Sequence, residues 1–311
     1  SDYPSAYKAF NEAKQILVSV NDKKGLIYLL RMEANLYMND GKHAQSLDNC
    51  FQVVKLAEEQ GDIKNVVEAE SFIGYLYNIL GEYQKAIPYQ TDALKKAESI
   101  GYKRGISAAL NAIGKTYKTS GNYPASLDAY SRELAMDQQD KDSMNVYIGH
   151  SNIGDVYERM SNYPQAFSNI RQALNYFTRT KGLPTMIPWD EWVLARIHTH
   201  SGNADSGYYY AKTSLAHAYQ IGYRLYLREM TQILSEAAAK LGKWDTAYKY
   251  QVLSSHYKDS LIGEETTRKT AMLQANFDLD KKQSEIALLK KDKELQLAEN
   301  RGPPGFGPVP R

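Results

Sequence analysis

What most constrains the fold of this chain is a phrase that it repeats at a fixed interval. SDYPSA at residues 1 to 6 returns as GNYPAS at 121 to 126 and as SNYPQA at 161 to 166. Weaker copies fill the gaps, with GKHAQS from Gly41, GEYQKA from Gly81, GNADSG from Gly202 and GKWDTA from Gly242. The starts fall at 1, 41, 81, 121, 161, 202 and 242, a step of 40 residues with one single-residue slip. A period in this range marks units that cannot bury their apolar faces alone and do so by stacking on their neighbours.

Each unit divides into two helices. Seven residues before each loop start stands a small residue: Ala34, Gly74, Gly114, Gly154, Ala195 or Ser235. Glycine inside a helix costs about 1 kcal/mol relative to alanine, so glycine at this phase in successive units predicts a close backbone approach. Three residues on come Tyr37, Tyr77, Tyr117 and Tyr157, then His198 and Ala238, which places a large side chain beside the gap on one helix face. The second helix carries its own small residue at Ala6, Ser46, Ala86, Ser126, Ala166, Gly207 and Ala247. Pro4, Pro124 and Pro164 suit its first turn, and Asp2, Asn122 and Asn162 are candidate caps. Asn21, Gly61, Gly101, Gly182 and Gly222 are placed to end the second helices in the left-handed conformation. Pro88, near a fifth helical position, is expected to bend its turn.

These residues resemble the tetratricopeptide repeat. Gly74 with Tyr77, then Gly81, Tyr83, Ala86 and Ala93, carry the likeness, and Gly114, Tyr117, Gly121, Tyr123 and Tyr130 repeat it. The usual period is about 34 residues; this is a longer, 40-residue variety, covering residues 1 to roughly 260. The resemblance implies an all-α fold, a right-handed α-solenoid of antiparallel helix pairs. The expected organisation is an array over 1–262, opening on the second helix of a leading repeat and continuing through about six repeats. A long, charged C-terminal helix follows over 263–300, and a Pro/Gly-rich tail, a linker or a non-native addition, over 301–311. The opening phase of the chain reads as a module taken from something longer.

Two segments break the pattern. TKGLPTMIPWDEW, residues 180 to 192, supplies the extra residue of the period, and its prolines predict an irregular crossing with the next helix starting near Trp189. After Gly263 the chain is rich in helix formers, with apolar Leu279, Ile286 and Leu289 at heptad spacing but Lys282, Lys293 and Gln296 at the adjoining seam positions. It reads either as a capping helix or as a signalling or dimerising one. The KDSLIGEE and LLKKDKELQLAEN stretches resemble the charged helix that follows such repeats in sensor histidine kinases and nucleotide cyclases of Bacteroidetes.

The side-chain inventory excludes more chemistry than it offers. With 38 Lys plus Arg against 36 Asp plus Glu, the net charge of +2 is unlike the basic stripe of a nucleic-acid binder. Cys50 stands alone and can form neither a disulfide within the chain nor a thiolate metal site. There is no apolar run of about 18 residues to span a membrane. His198 and His200 lie two apart and point to different sides of a helix. No phosphate loop, zinc knuckle or serine elbow appears, so the chain is read as a non-enzyme without cofactor or metal.

What the resemblance implies instead is a concave groove that binds a peptide or protein. In the family this groove is lined by the first helix of each pair, at fixed phases from the small residue. Here those phases hold Glu68, Ser71, Tyr75 and Asn78; Asn111, Lys115, Lys118 and Thr119; Ser151, Asp155, Glu158 and Arg159; and Trp189, Trp192, Arg196 and His200. The wall reads as mixed, a basic step at Lys115 and Lys118 beside an acidic one at Asp155 and Glu158. The lysine and asparagine clamp with which some relatives hold a C-terminal carboxylate is not reproduced. Tyr75 and the run Tyr208, Tyr209 and Tyr210 stand outside the packing phases and are candidate aromatic anchors. The leading expectation is the sensory or regulatory module of a larger signalling protein, periplasmic if the sensor-kinase likeness holds and otherwise cytoplasmic, with homodimerisation through the terminal helix as an option. The alternative is a free-standing scaffold. Filling the Gly114 notch is expected to disturb stacking, and Lys118→Glu to alter binding with little change in stability.

Overall fold

The structure, a computed structural model, describes residues 3–223 and 226–257. The proposed terminal helix over 263–300, the tail over 301–311 and the candidate cap Asp2 lie outside the described residues. Helices alternate in direction along the described chain. The first helices of the pairs are α2 (Lys23–Asn39), α4 (Ile63–Ile79), α6 (Lys103–Thr119), α8 (Ser143–Arg159), α10 (Met186–His200) and α12 (Leu227–Lys240). The second helices are α1 (Tyr3–Ser19), α3 (His43–Glu59), α5 (Tyr83–Ser99), α7 (Tyr123–Gln139), α9 (Tyr163–Thr180) and α11 (Ala204–Gln220), with a further helical run over 244–257.

The turns recur at half the sequence period. Asn21, Gly41, Gly61, Gly81, Gly101, Gly121, Lys141, Ser161, Lys181, Gly202, Gly222 and Gly242 all have positive φ. After α2, Gly41 N–H donates to the Met38 carbonyl at 3.1 Å and Lys42 N–H to the Tyr37 carbonyl at 2.8 Å, the paired bonds of a helix that ends on a left-handed residue. The same bonds return at Gly81 and Glu82, and at Gly121 and Asn122, so the backbone of each phased tyrosine helps to close its turn. Seventeen residues of helix and a three-residue reversal suffice to place each helix antiparallel to the last.

The turn chemistry differs in places from expectation. Lys181, with φ 53°, takes the left-handed role expected of Gly182, because it keeps the 40-residue step from Gly101 and Lys141 and the extra residue of the period falls after it. The crossing after it is shorter than predicted: α10 starts at Met186, and Pro188 falls inside its first turn, where a proline gives up no helical bond. Asn122 caps α7 through the Ala125 N–H, whereas Asn162 makes no side-chain cap bond to α9. Asp22, Asp62, Asp142 and Asn203 cap α2, α4, α8 and α11 in the same way as Asn122. Pro88 is the sixth residue of α5, and the helix continues through it to Ser99.

Packing explains the small residues. A Cβ on Gly114 would stand 2.8 Å from the Tyr130 ring, and one on Gly154 would stand 2.6 Å from Ile170; one on Gly74 would collide with Gln90. The side chain that fills each notch therefore comes from the following second helix, not from the tyrosine three residues along. Ser46 and Ser126 approach from the same side, their hydroxyls donating at 2.7 Å to the carbonyls of Ala34 and Gly114. The core is thus a continuous seam between the first and second helices. It broadens around α10, where Trp192, Val193, Leu194 and Ile197 meet Ile170, Leu215, Met230 and Leu234.

First helices also touch one another, α4 with α6, α8 with α10 and α10 with α12. α6 and α8 pack together much less, and this opens the wall of first helices onto α7 behind them.

Candidate functional site

Two cavities lie along the wall of first helices and share the exposed Lys115. The larger, about 860 Å3, is lined by Arg31, Glu68, Ser71, Tyr75, Tyr102 and Asn111 among others, with Glu133 and Asp137 of α7. The smaller, about 450 Å3, is lined by Lys118, Thr119, Arg159, Trp189, Trp192, Arg196 and His200, and by Tyr226, Arg228, Glu229, Gln232 and Glu236 from α12 and the turn before it. Volumes of this size suit side chains of an extended ligand.

Most residues named from the sequence fall on one or other cavity, but the acidic step does not face outward. Asn78, Ser151, Asp155 and Glu158 are buried and line neither cavity. Asp155 is wholly inaccessible and accepts from Lys118 Nζ at 2.8 Å and Arg196 Nη1 at 3.0 Å, with Arg159 Nε at 3.4 Å. Burial alone would push its carboxyl up; these cations hold it well below the usual carboxylate range. Glu158 is held by Arg196 and by His200 Nδ1 at 3.0 Å, and the other ring nitrogen of His200 lies 3.6 Å from Glu236. What reads as a charged wall in the sequence is a ladder of ion pairs joining α6, α8 and α10, which His200 extends toward Glu236 of α12. Arg31 of α2 pairs with Glu68 of α4, which also accepts from the Tyr102 hydroxyl at 2.7 Å.

The smaller cavity combines cations with aromatic surface. Trp189 and Trp192 meet edge to face with centroids 4.9 Å apart, and the Tyr226 ring stacks on Trp192 at 5.7 Å. Arg196 lies 4.9 Å from the Trp192 centroid and Lys118 lies 5.7 Å from that of Trp189. Trp192 is 5% exposed and its Nε1 has no hydrogen-bond partner. Tyr226 reaches this cluster from a left-handed backbone, φ 66°, a conformation that costs an aromatic residue of the order of 1–3 kcal/mol and is offset here by ring packing.

Of the tyrosines singled out, Tyr75 lines the larger cavity beneath Lys115, whose Nζ is 5.4 Å from its ring. Tyr208 and Tyr210 pack on the core around α10, and Tyr209 is exposed. His198 stacks on Tyr210 while His200 turns to Glu158, so the two histidines do face different ways. Burial raises the Cys50 thiol to about 12, which removes it as a nucleophile. Among the described residues no cluster of His, Cys, Asp and Glu could hold a metal ion, and no helix is long and apolar enough to cross a membrane.

Several cavity residues were within reach of the sequence. The phases that give Glu68 to His200, carried one repeat outward to Ala34 and Ser235, yield Arg31, Asn35, Glu229, Gln232 and Glu236. Glu133 and Asp137 were not, since they stand on a second helix and reach the cavity only where α6 and α8 part.

Fold and groove together define a helical-repeat solenoid. Residues 65–139 match the tetratricopeptide repeat family model, so this stretch carries tetratricopeptide repeats. Its backbone is similar to that of the apo form of RapI, with a TM-score of 0.67 at 14% identity over 85% of this chain and 94% of that one. NprR in complex with its cognate peptide NprX gives 0.56 at 18% identity over 85% and 72%. A signal-transduction ATPase with numerous domains and a tetratricopeptide repeat sensor, from Pyrococcus horikoshii, gives 0.62 at 16% identity over 92% of this chain and 48% of that one. No curated protein sequence matches the chain.

Proposed function

We propose that this chain is a non-catalytic module that holds a peptide or an extended protein segment along α4, α6, α8 and α10, as the sensory part of a larger signalling protein. The observation that carries this reading is that the two cavities adjoin at Lys115, an aromatic and cationic one beside a polar and acidic one. Buried aromatic surface at one end supplies the anchoring energy that peptide recognition requires. The likeness to a peptide-bound NprR and to a protein with a repeat sensor supports a ligand-reading role. The signalling role draws further on the likeness of the terminal segment to the helix that follows repeats in sensor kinases.

Lys115 is the residue on which to test it, being exposed and shared by both cavities. Peptides selected on the full chain from a phage-displayed library of random dodecapeptides are titrated calorimetrically into the wild type and Lys115→Glu. The expected result is at least about a tenfold loss of affinity with an unchanged melting temperature. If no selected peptide distinguishes the two proteins, the groove is not the binding site.

A further inference from the structure

We propose that Glu133 and Asp137 form a subsite for a cationic side chain, a lysine ammonium or an arginine guanidinium, on the segment that the groove holds. This rests on the peptide-binding reading and adds to it the chemistry of one ligand position.

The two carboxylates stand four residues apart on α7, and so on one helix face, where like charges repel unless something neutralises them. They reach the larger cavity because α6 and α8 leave α7 uncovered between them. Glu133 is 7% exposed and accepts only from neutral donors, the Asn111 amide at 3.1 Å and the Ser107 hydroxyl at 3.3 Å. Asp137 is 5% exposed, and its Oδ2 has no hydrogen-bond partner although the residue lines the cavity. A buried carboxylate oxygen without a donor is costly.

Two other buried carboxylates provide the contrast. Asp155 is met by Lys118, Arg159 and Arg196, and Glu70 by Lys96. Among the described residues no cation pairs with Glu133 or Asp137. The cations that line the same cavity are otherwise placed: Arg31 is paired with Glu68 and Lys103 with Asp140, while Arg104 and Lys115 are exposed on α6. Asp190 is also buried without a partner, but it lines neither cavity, so nothing entering the groove meets it.

The surroundings suit the whole of a basic side chain. Phe72, Tyr75 and Tyr102 line the same space and offer aromatic surface to a methylene stem or a cation. Asp142, at the start of α8, adds negative potential, while Glu68 on α4 and Asp140 at the end of α7 are already neutralised by Arg31 and Lys103. Burial, reinforced by Asp137 for Glu133 and by Asp142 and Asp140 for Asp137, raises the two carboxyls to about 7 and about 6. A bound cation favours their ionised forms, so its binding strengthens as pH rises through that range.

The test uses the peptides selected on the full chain. Each is made as selected and with every Lys or Arg replaced singly by norleucine, and all are titrated into the wild type and into the E133Q/D137N double variant. The expected result is that one replacement weakens binding to the wild type by at least about tenfold and to the variant by less than about twofold. Selected peptides that lose affinity on Lys115→Glu yet tolerate every norleucine overturn the subsite and leave the groove standing. A norleucine effect of equal size on both proteins overturns it too, since the variant then acts only through structure. If no peptide is selected at all, the groove reading falls and the subsite with it. Should the double variant not fold, the wild type decides alone: the norleucine effect must grow between pH of about 5 and about 8, and a constant one overturns the proposal.

Discussion

Lys118 of α6 donates to Asp155 of α8 at 2.8 Å, and the carboxylate it meets is completely buried. The pair ties one repeat to the next. It changes what a substitution at Lys118 tests, because Lys118 is itself largely covered.

Lys118→Glu is therefore expected to destabilise the chain by about 3–5 kcal/mol, the range for breaking a buried ion pair. This replaces the sequence-based expectation of near-intact stability. Urea denaturation followed by circular dichroism measures it, with the exposed Lys115→Glu as a control that should stay within about 0.5 kcal/mol. Equal midpoints for the two variants would show that the ladder adds nothing to stacking.

Gly114 faces Tyr130, whose ring leaves no room for a Cβ. Gly114→Leu should cost at least about 1–3 kcal/mol through overpacking, and Gly114→Ala less. Combining Gly114→Ala with Tyr130→Leu should recover part of the loss, and a strictly additive double variant would argue against direct contact.

Glu133 and Asp137 make stability depend on pH in a definite direction. Their carboxyls are raised to about 7 and about 6, first by burial. A group raised on folding contributes fully below its unfolded value, here near pH 4, and the contribution is lost as pH climbs through the folded value. The wild type should thus lose stability between pH of about 4 and about 7 on this account. The isosteric E133Q/D137N variant should be more stable than the wild type at pH of about 8, by about 1–3 kcal/mol, and the difference should fade toward pH of about 4. Thermal melts across that range measure the effect, and a variant advantage that is largest in acid would reverse the sign.

Lys141 ends α7 with φ 58°, where its counterparts Gly61 and Gly101 carry glycine. The left-handed conformation costs a side-chain-bearing residue about 1–2 kcal/mol, and glycine's looser unfolded chain returns about 0.4–1 kcal/mol of that. Lys141→Gly should accordingly stabilise by about 0.5 kcal/mol, read as a rise in the urea midpoint with unchanged slope.

Much of the architecture was legible in the residues. The positions of Gly41, Gly81 and Gly121 locate turns because a left-handed residue is needed there, and Gly114 and Gly154 mark close approaches because nothing larger fits. Lys141, Ser161 and Lys181 adopt the same turn without the glycine signal, and so the half-period was hidden. Of the proposed groove, Tyr75, Lys115, Trp189 and Arg196 could be placed by phase alone. Phase could not separate them from Asp155 and Glu158, which share the same helix positions but are covered by cations from the neighbouring repeats.

The amino-acid sequence by itself determined the helix pairs, their period and the face that each first helix turns inward, because these follow from local backbone preferences and from residues at short, regular separations. Only the tertiary structure decided which charges are spent on joining repeats and which stay open to a ligand. That depends on distances between side chains some 40 positions apart, and on how far α6 stands from α8. Lys118 closes on Asp155 across that gap, while Glu133 and Asp137 are left at its base without a cation.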